Sequence, residues 1–180
     1  MTEPEIVQID TRIVYKNRWM RVREDRVRRP NGDHGLFGVV EKPDFALIVP
    51  FDGQKYHMVQ QYRYPVDGRY WEFPQGSLEL SPESTPEQIA TTELAEETGL
   101  KAGSMIKLGK LYQAYGYSDQ AVNIFKATEL EEGAPALSSE EQGLVSDTFT
   151  RQEIVQMIKQ GHICDLATIG ALHLLDLNEA

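Results

Sequence analysis

Cys164 is the only cysteine in the chain, so no internal disulfide can form and burial and hydrogen bonding must carry the fold. That usage fits a reducing compartment. Histidine is scarce too. His34, His57, His162 and His173 are dispersed, and none of their spacings suits a zinc site. No apolar run approaches the ~18 residues that a membrane span needs. The first residues, MTEPEIVQID, are acidic and lack the apolar centre of a secretory leader. There is no GxSxG elbow, and Gly109-Lys110 lacks the glycine spacing and the following hydroxyl of a phosphate-binding loop. Positive charge is outnumbered, with 18 Lys and Arg against 28 Asp and Glu, a net charge of −10. Such a chain is a poor candidate for general nucleic-acid or anionic-membrane binding. A small anionic substrate would need local cations or a metal to overcome that field. These absences together point to a soluble, cytoplasmic protein.

What remains is ordinary for a globular chain: 180 residues, 41% hydrophobic and 26% charged. The length suits one domain, or one compact domain with an extension. No repeat, low-complexity stretch or linker interrupts it. RIVYKN and WMRVREDRV alternate in part with period two and read as strands. RPNGDHG is a turn, and LFGVVEK resumes the strand. FALIVPFDGQKYHMVQQYRY reads as a hairpin turning at Asp52-Gly53. YWEFPQG follows and ends in a loop.

A helix comes next, with Thr85 as N-cap, Pro86 at the first position and Gln88 completing a capping box. MIKLGKLYQAYGYS and QAVNIFKATEL read as strands, GAPALSSEEQG as a polar loop and LVSDTF as a short strand. Thr150 and Glu153 form a second capping box for a helix ending near Gly161, and a last helix covers roughly Asp165 to Leu177. The order of strands, helix, strands and helices predicts an α+β fold around a mixed sheet, not a regular βαβ alternation.

The first helix carries an unfavourable feature. In TTELAEETGL, Glu93, Glu96 and Glu97 fall within an arc of about 100°. Each like-charge pair at this spacing costs a few tenths of a kcal/mol. Gly99 marks the helix end, where the dipole also disfavours negative charge. A hard divalent cation is the simplest compensation. A solvated acidic helix end is the simpler alternative for ExxEE alone.

Residues Gly76 to Leu100, GSLELSPESTPEQIATTELAEETGL, resemble the signature box of the Nudix hydrolases. The second half matches from Glu93 to Leu100, with Thr92 in the slot of the family's arginine. Gly76 lies two residues upstream of the strict spacing, so Glu83 or Glu79 stands for the first glutamate of the box. The resemblance implies a Nudix α/β/α sandwich with a mixed central sheet in residues 46–180, and an N-terminal antiparallel sheet in residues 1–45 that exchanges across a homodimer. It implies hydrolysis of a diphosphate linkage with Mg²⁺ or Mn²⁺ held by Glu93, Glu96, Glu97 and the backbone carbonyl of Gln75, and Glu97 is also taken as catalytic. Glu141 or Glu140, in the loop after the box, would be the general base.

VQQYRYPVDGRYWEFPQG and the N-terminal segment are similar to the ADP-ribose and sugar-nucleotide pyrophosphatases. That branch implies Arg63 on the diphosphate and Glu72 helping with metal or substrate. It implies base stacking at Trp19 and Phe37, where core packing is the bland alternative. Phe37-Gly38 replaces the Trp-Glu of such members, and Tyr115-Gly116 replaces Pro-Gly. Tyr115 also suits a dinucleoside polyphosphate hydrolase. Thr92 raises a third reading, a Nudix-fold nucleotide-binding module with little turnover.

Overall fold

A computed structural model of the chain describes residues 5–77, 83–137 and 141–179. Two compact units are present, Met1–Asp44 with Tyr112–Ala121, and Phe45–Leu111 with Val122–Ala180.

The smaller unit is built on β1 (Val7–Lys16), β2 (Arg21–Arg28) and β3 (His34–Glu41), an antiparallel sheet in that order. The turn predicted at RPNGDHG joins β2 to β3, with Arg29 N–H donating to the Asp33 carbonyl and Gly32 at φ +89°. The arginines of RVREDRVRR are laced across the strands as a charged ladder. Arg12 pairs with Glu24 at 2.7 Å, Arg26 with Asp10, and Arg21 and Arg23 with Glu41. Opposite charges facing each other across a ladder support the register.

The segment after β8 docks on the same sheet. Val40 N–H donates to the Tyr117 carbonyl at 2.7 Å, and the Gln120 side-chain amide to the Pro43 carbonyl at 2.8 Å. The strand expected to run through AYGYS therefore stops at Tyr112. Ala114 to Ser118 form a turn instead, with Tyr117 and Ser118 N–H groups both donating to the Ala114 carbonyl.

In the larger unit, β4 (Phe45–Pro50), β7 (Gln75–Gly76), β8 (Lys101–Tyr112) and β9 (Ala121–Glu131) form one sheet in the order β7-β4-β9-β8. It is mixed, since β4 runs parallel to β9 and antiparallel to β7. A second sheet has the order β10-β5-β6, from β5 (Tyr56–Arg63), β6 (Gly68–Glu72) and β10 (Val145–Phe149). The Asp52-Gly53 turn forms as predicted, with Gly53 at φ +103°, but the hairpin does not. After a single bridge between Phe51 and Tyr56 the two strands diverge into different sheets.

The reason is β4 itself. All six residues are buried, and they face two cores. Phe45, Leu47 and Val49 pack with Ile154 of α2 (Arg151–Lys159) and with Ala171, Leu172 and Leu175 of α3 (Leu166–Glu179). Ala46 and Ile48 pack with Ala90 and Leu94 of α1 (Pro86–Thr98). A strand buried on both faces reads as a continuous apolar run and belongs inside a sheet covered by helices. Burying a side chain such as Leu94 contributes roughly 2–3 kcal/mol. The result is the expected α+β sandwich, with α1 on one face of the mixed sheet and α2 and α3 on the other.

Both predicted capping boxes are present. The Thr85 hydroxyl accepts from Gln88 N–H, and Thr150 from Glu153 N–H, each reciprocated by the side chain three residues on. These caps set where α1 and α2 begin, and so which α1 residues face β7.

Candidate active site

Helix α1 places its acids beside the sheet because Ala90 and Leu94 lock its apolar stripe onto β4. Glu93 and Glu97 lie on the adjoining stripe and are 6% and 2% exposed. They sit on the last turns of α1, which carries no basic residue there and ends at Gly99 with φ +76°. Glu141, from the loop before β10, joins them. One carboxylate oxygen from each of Glu93, Glu97 and Glu141 lies within 4.8 Å of the others. Glu96 stays outside this triplet, and its carbonyl accepts the Ala136 N–H at 2.9 Å. Glu140 and Glu79 lie outside the described residues. Glu83 is exposed in the turn before α1, and Thr92 is half-buried on the helix.

Two unit charges about 5 Å apart repel by on the order of 3 kcal/mol at an effective dielectric near 20. That is roughly tenfold more than the surface cost at the same helical spacing. The strain shows in Glu97. Burial, then the Glu93 charge, raise its carboxyl well above the ordinary value of 4.5, although the Gln75 N–H opposes this. Either protons or a cation must relieve the cluster. Three carboxylate oxygens are the donor set that a hard divalent ion takes, so the residues fit Mg²⁺ or Mn²⁺.

A pH dependence follows. Without metal, the folded state keeps the Glu97 proton at a pH where the unfolded chain has released it. Stability then falls as pH rises from about 4.5 towards the raised native value, and levels off above it. Urea unfolding across that window is expected to show this negative slope in EDTA. Saturating Mg²⁺, which displaces the proton, is expected to flatten it.

Gly76 stands directly against the Glu93 carboxylate. A Cβ at this position would overlap both carboxylate oxygens. Next to it, the Gln75 N–H donates to Glu97 Oε2 at 3.1 Å, so β7 orients one of the acids. The Gln75 side chain meets Glu72 Oε2 at 3.1 Å and Asp165 Oδ2 at 3.2 Å.

Glu72 is 3% exposed and anchors a second polar cluster. Arg63 forks onto both of its oxygens, at 2.5 and 3.3 Å, and Gln61 donates to Oε1 at 3.1 Å. Burial raises the Glu72 carboxyl, and the Arg63 charge works against that rise. Arg63 keeps 40% of its side chain exposed, so its guanidinium is held by Glu72 with one edge open. Gln61 and Asp165 were not singled out from the sequence. Asp165 had a signal, since it starts the last helix, but nothing local tied it to Gln75.

In the smaller unit, Phe37 and Tyr115 line a groove of about 370 Å³ with Val39, Tyr112, Tyr117 and Asp119. Tyr115 is 85% exposed. Trp19 sits in the β1–β2 turn, where the Asn17 side chain accepts both Trp19 and Met20 N–H groups, and the Arg18 guanidinium lies 4.0 Å over its ring.

Comparison with known proteins places the chain in a family. The model of the NUDIX domain matches residues 41–163, and that of the nucleoside diphosphate sugar hydrolase N-terminal domain matches residues 7–40. An ADP-ribose pyrophosphatase of Mycobacterium tuberculosis is 32% identical over 96% of this chain and 84% of its own length. A methanol dehydrogenase activator of Bacillus methanolicus is 30% identical over 96% of this chain and 93% of its own. The crystal structure of an ADP compounds hydrolase superposes with a TM-score of 0.85, at 19% identity, over 98% of this chain and 95% of that one. That last likeness speaks to the fold. The chain belongs to the Nudix family.

Proposed function

We propose that the protein hydrolyses the diphosphate linkage of a nucleoside diphosphate sugar of the ADP-ribose kind, giving a nucleoside monophosphate and a sugar phosphate. The observation that carries this is the Glu93, Glu97 and Glu141 cluster, next to the glycine of the signature box. Divalent ions bound there would screen the phosphate charge and lower the pKa of a coordinated water. Glu93, Glu97 and one oxygen of Glu141 would hold them, the resemblance adds Glu96 and the Gln75 carbonyl to the set, and Mg²⁺ would be the natural ion.

Glu141 offers one carboxylate oxygen to the cluster, and its other oxygen, with Glu140 as its neighbour, would accept the proton of the attacking water. The bond from phosphorus to the bridging oxygen breaks as the new one forms. Arg63, held by Glu72, meets the diphosphate. Trp19, Phe37 and Tyr115 offer ring faces to the base, a base-tolerant way to hold it. The working form is a cytoplasmic homodimer built through residues 1–45.

The Arg63 assignment makes a separable prediction. Arg63→Ala removes the charged partner of a buried carboxylate that keeps two amide donors, and is expected to cost roughly 1–3 kcal/mol of stability. It is also expected to raise KM for the nucleotide about tenfold or more, since a charge-assisted phosphate contact is worth over 1.4 kcal/mol. A stability loss with unchanged KM would make Arg63 structural only.

A nucleotide panel tests the function. ADP-ribose, ADP-glucose, GDP-mannose, UDP-glucose and a diadenosine polyphosphate are offered with Mg²⁺ or Mn²⁺, and monophosphate release is followed. Fastest cleavage of a sugar nucleotide supports the proposal and names the base. Preference for the diadenosine compound would instead favour a dinucleoside polyphosphate hydrolase, which the exposed Tyr115 also suits. Binding without cleavage would indicate a nucleotide-holding module.

A further inference from the structure

The chain from Trp71 to Gln75 is fastened at every second residue. Trp71 N–H donates to the His162 carbonyl at 3.0 Å, and Phe73 N–H to Thr168 Oγ1 at 3.0 Å. Gln75 N–H donates to Glu97 Oε2 at 3.1 Å. Alternate N–H groups of an extended chain point the same way, so these three share one edge. The first two partners lie at the start of α3 or just before it, and the third lies on α1.

Gln75 is tied to the α3 end as well, through its side-chain amide and Asp165 Oδ2. That same oxygen accepts the Thr168 N–H at 2.8 Å, and the Asp165 carbonyl accepts the Ile169 N–H at 3.1 Å. Asp165 is therefore the N-cap of α3. One oxygen serves both the helix start and the Gln75 amide. Strand β7 is short, since only Gln75 and Gly76 pair with β4, next to the Pro74 carbonyl that accepts the Ile48 N–H at 2.9 Å. A two-residue ladder specifies its own geometry weakly.

We propose that Asp165 is a positioning residue for the carboxylate cluster. By holding the Gln75 side chain against α3, it fixes the backbone N–H that orients Glu97. This rests on the reading of Glu93, Glu97 and Glu141 as a cation site. Groups that orient metal ligands commonly change affinity by about 10- to 100-fold when removed. Glu72 gives Gln75 a second anchor, so the lower end applies here.

Three variants of the full chain separate the two jobs of Asp165. Serine is a good N-cap but too short to reach Gln75, whereas asparagine can keep both contacts without the charge. Gln75→Met removes the same contact from the other side and leaves the cap whole, and it also takes the amide donor from Glu72, which keeps Arg63 and Gln61. Mn²⁺ binding is measured by calorimetric titration, with Tm alongside.

Asp165→Ser and Gln75→Met are expected to bind Mn²⁺ about tenfold more weakly, with Tm near wild type in Asp165→Ser and lowered in Gln75→Met by the donor lost at Glu72, and Asp165→Asn to bind as wild type. Wild-type affinity in both Asp165→Ser and Gln75→Met would overturn the proposal. So would an Asp165→Asn protein as weak as Asp165→Ser, because the charge would then be the cause. A wild-type protein that takes up no Mn²⁺ would overturn the cation site itself, which is a distinguishable failure.

Discussion

Glu97→Gln is expected to lower turnover on the order of 10³-fold, equivalent to about 4 kcal/mol of transition-state stabilisation. Glu97 is the most buried acid of the triplet and the one whose carboxyl is raised well above its ordinary value. Gln has the same shape, and its amide oxygen can still accept the Gln75 N–H. Its NH₂ group can donate to a neighbouring carboxylate at any pH, where Glu97 once ionised can only repel. The metal-free variant is therefore expected to be at least as stable as the parent, and to lose the Glu97 part of the pH slope. Thermal unfolding in EDTA, beside a steady-state assay with Mg²⁺, reads both effects. Unchanged turnover would remove Glu97 from the metal site. A collapsed Tm would show that its carboxylate serves the fold.

Gly76→Ala is expected to have the second largest effect. The added methyl would occupy the space of the Glu93 carboxylate, so that carboxylate has to swing away. The clash falls on the far end of a rotatable side chain, and no strained backbone angle is involved. The stability cost is expected to stay near 1 kcal/mol, at the low end of overpacking changes. The functional cost is larger, because a displaced ligand oxygen no longer shares a cation with Glu97 and Glu141. Mn²⁺ affinity is expected to fall at least about tenfold, and turnover about 10²-fold, as misplacement near 1 Å commonly causes. Titration calorimetry with Mn²⁺ checks the first figure and the nucleotide assay the second. Wild-type affinity in the alanine variant would mean that Glu93 is not a ligand.

The parts of this molecule that were legible in its sequence are those written locally. Thr85 with Gln88 and Thr150 with Glu153 announce their helices three residues ahead, and both boxes close as read. The acids of TTELAEETGL are legible because they contradict local stability, and such a contradiction implies a compensating group. FALIVP was harder. The Asp52-Gly53 turn makes it read as one arm of a hairpin, whereas the structure buries its unbroken apolar run on both faces. Its parallel neighbour, β9, lies more than 70 residues away in the chain. A turn residue reports only the local reversal and cannot say which sheet the next strand joins.

The same limit applies at the site. The resemblance marks Glu141 as a candidate base, but its approach to Glu93 and Glu97 depends on how its loop folds back. Asp165 was visible as a helix start and invisible as a partner of Gln75, 90 residues earlier. No periodicity encodes a contact of that kind. Gly76 lies off the strict spacing of the box, yet it stands against the Glu93 carboxylate, where a Cβ would not fit.

The central claim is that this Nudix chain cleaves a diphosphate linkage by means of a cation held at Glu93, Glu97 and Glu141. AMP release from ADP-ribose, with Mg²⁺ and then with excess EDTA, tests it most directly. The account predicts AMP and ribose phosphate in equal amounts with Mg²⁺, and no release above the uncatalysed level in EDTA. Equal release under both conditions would contradict it, because the acidic cluster would then have no part in the chemistry.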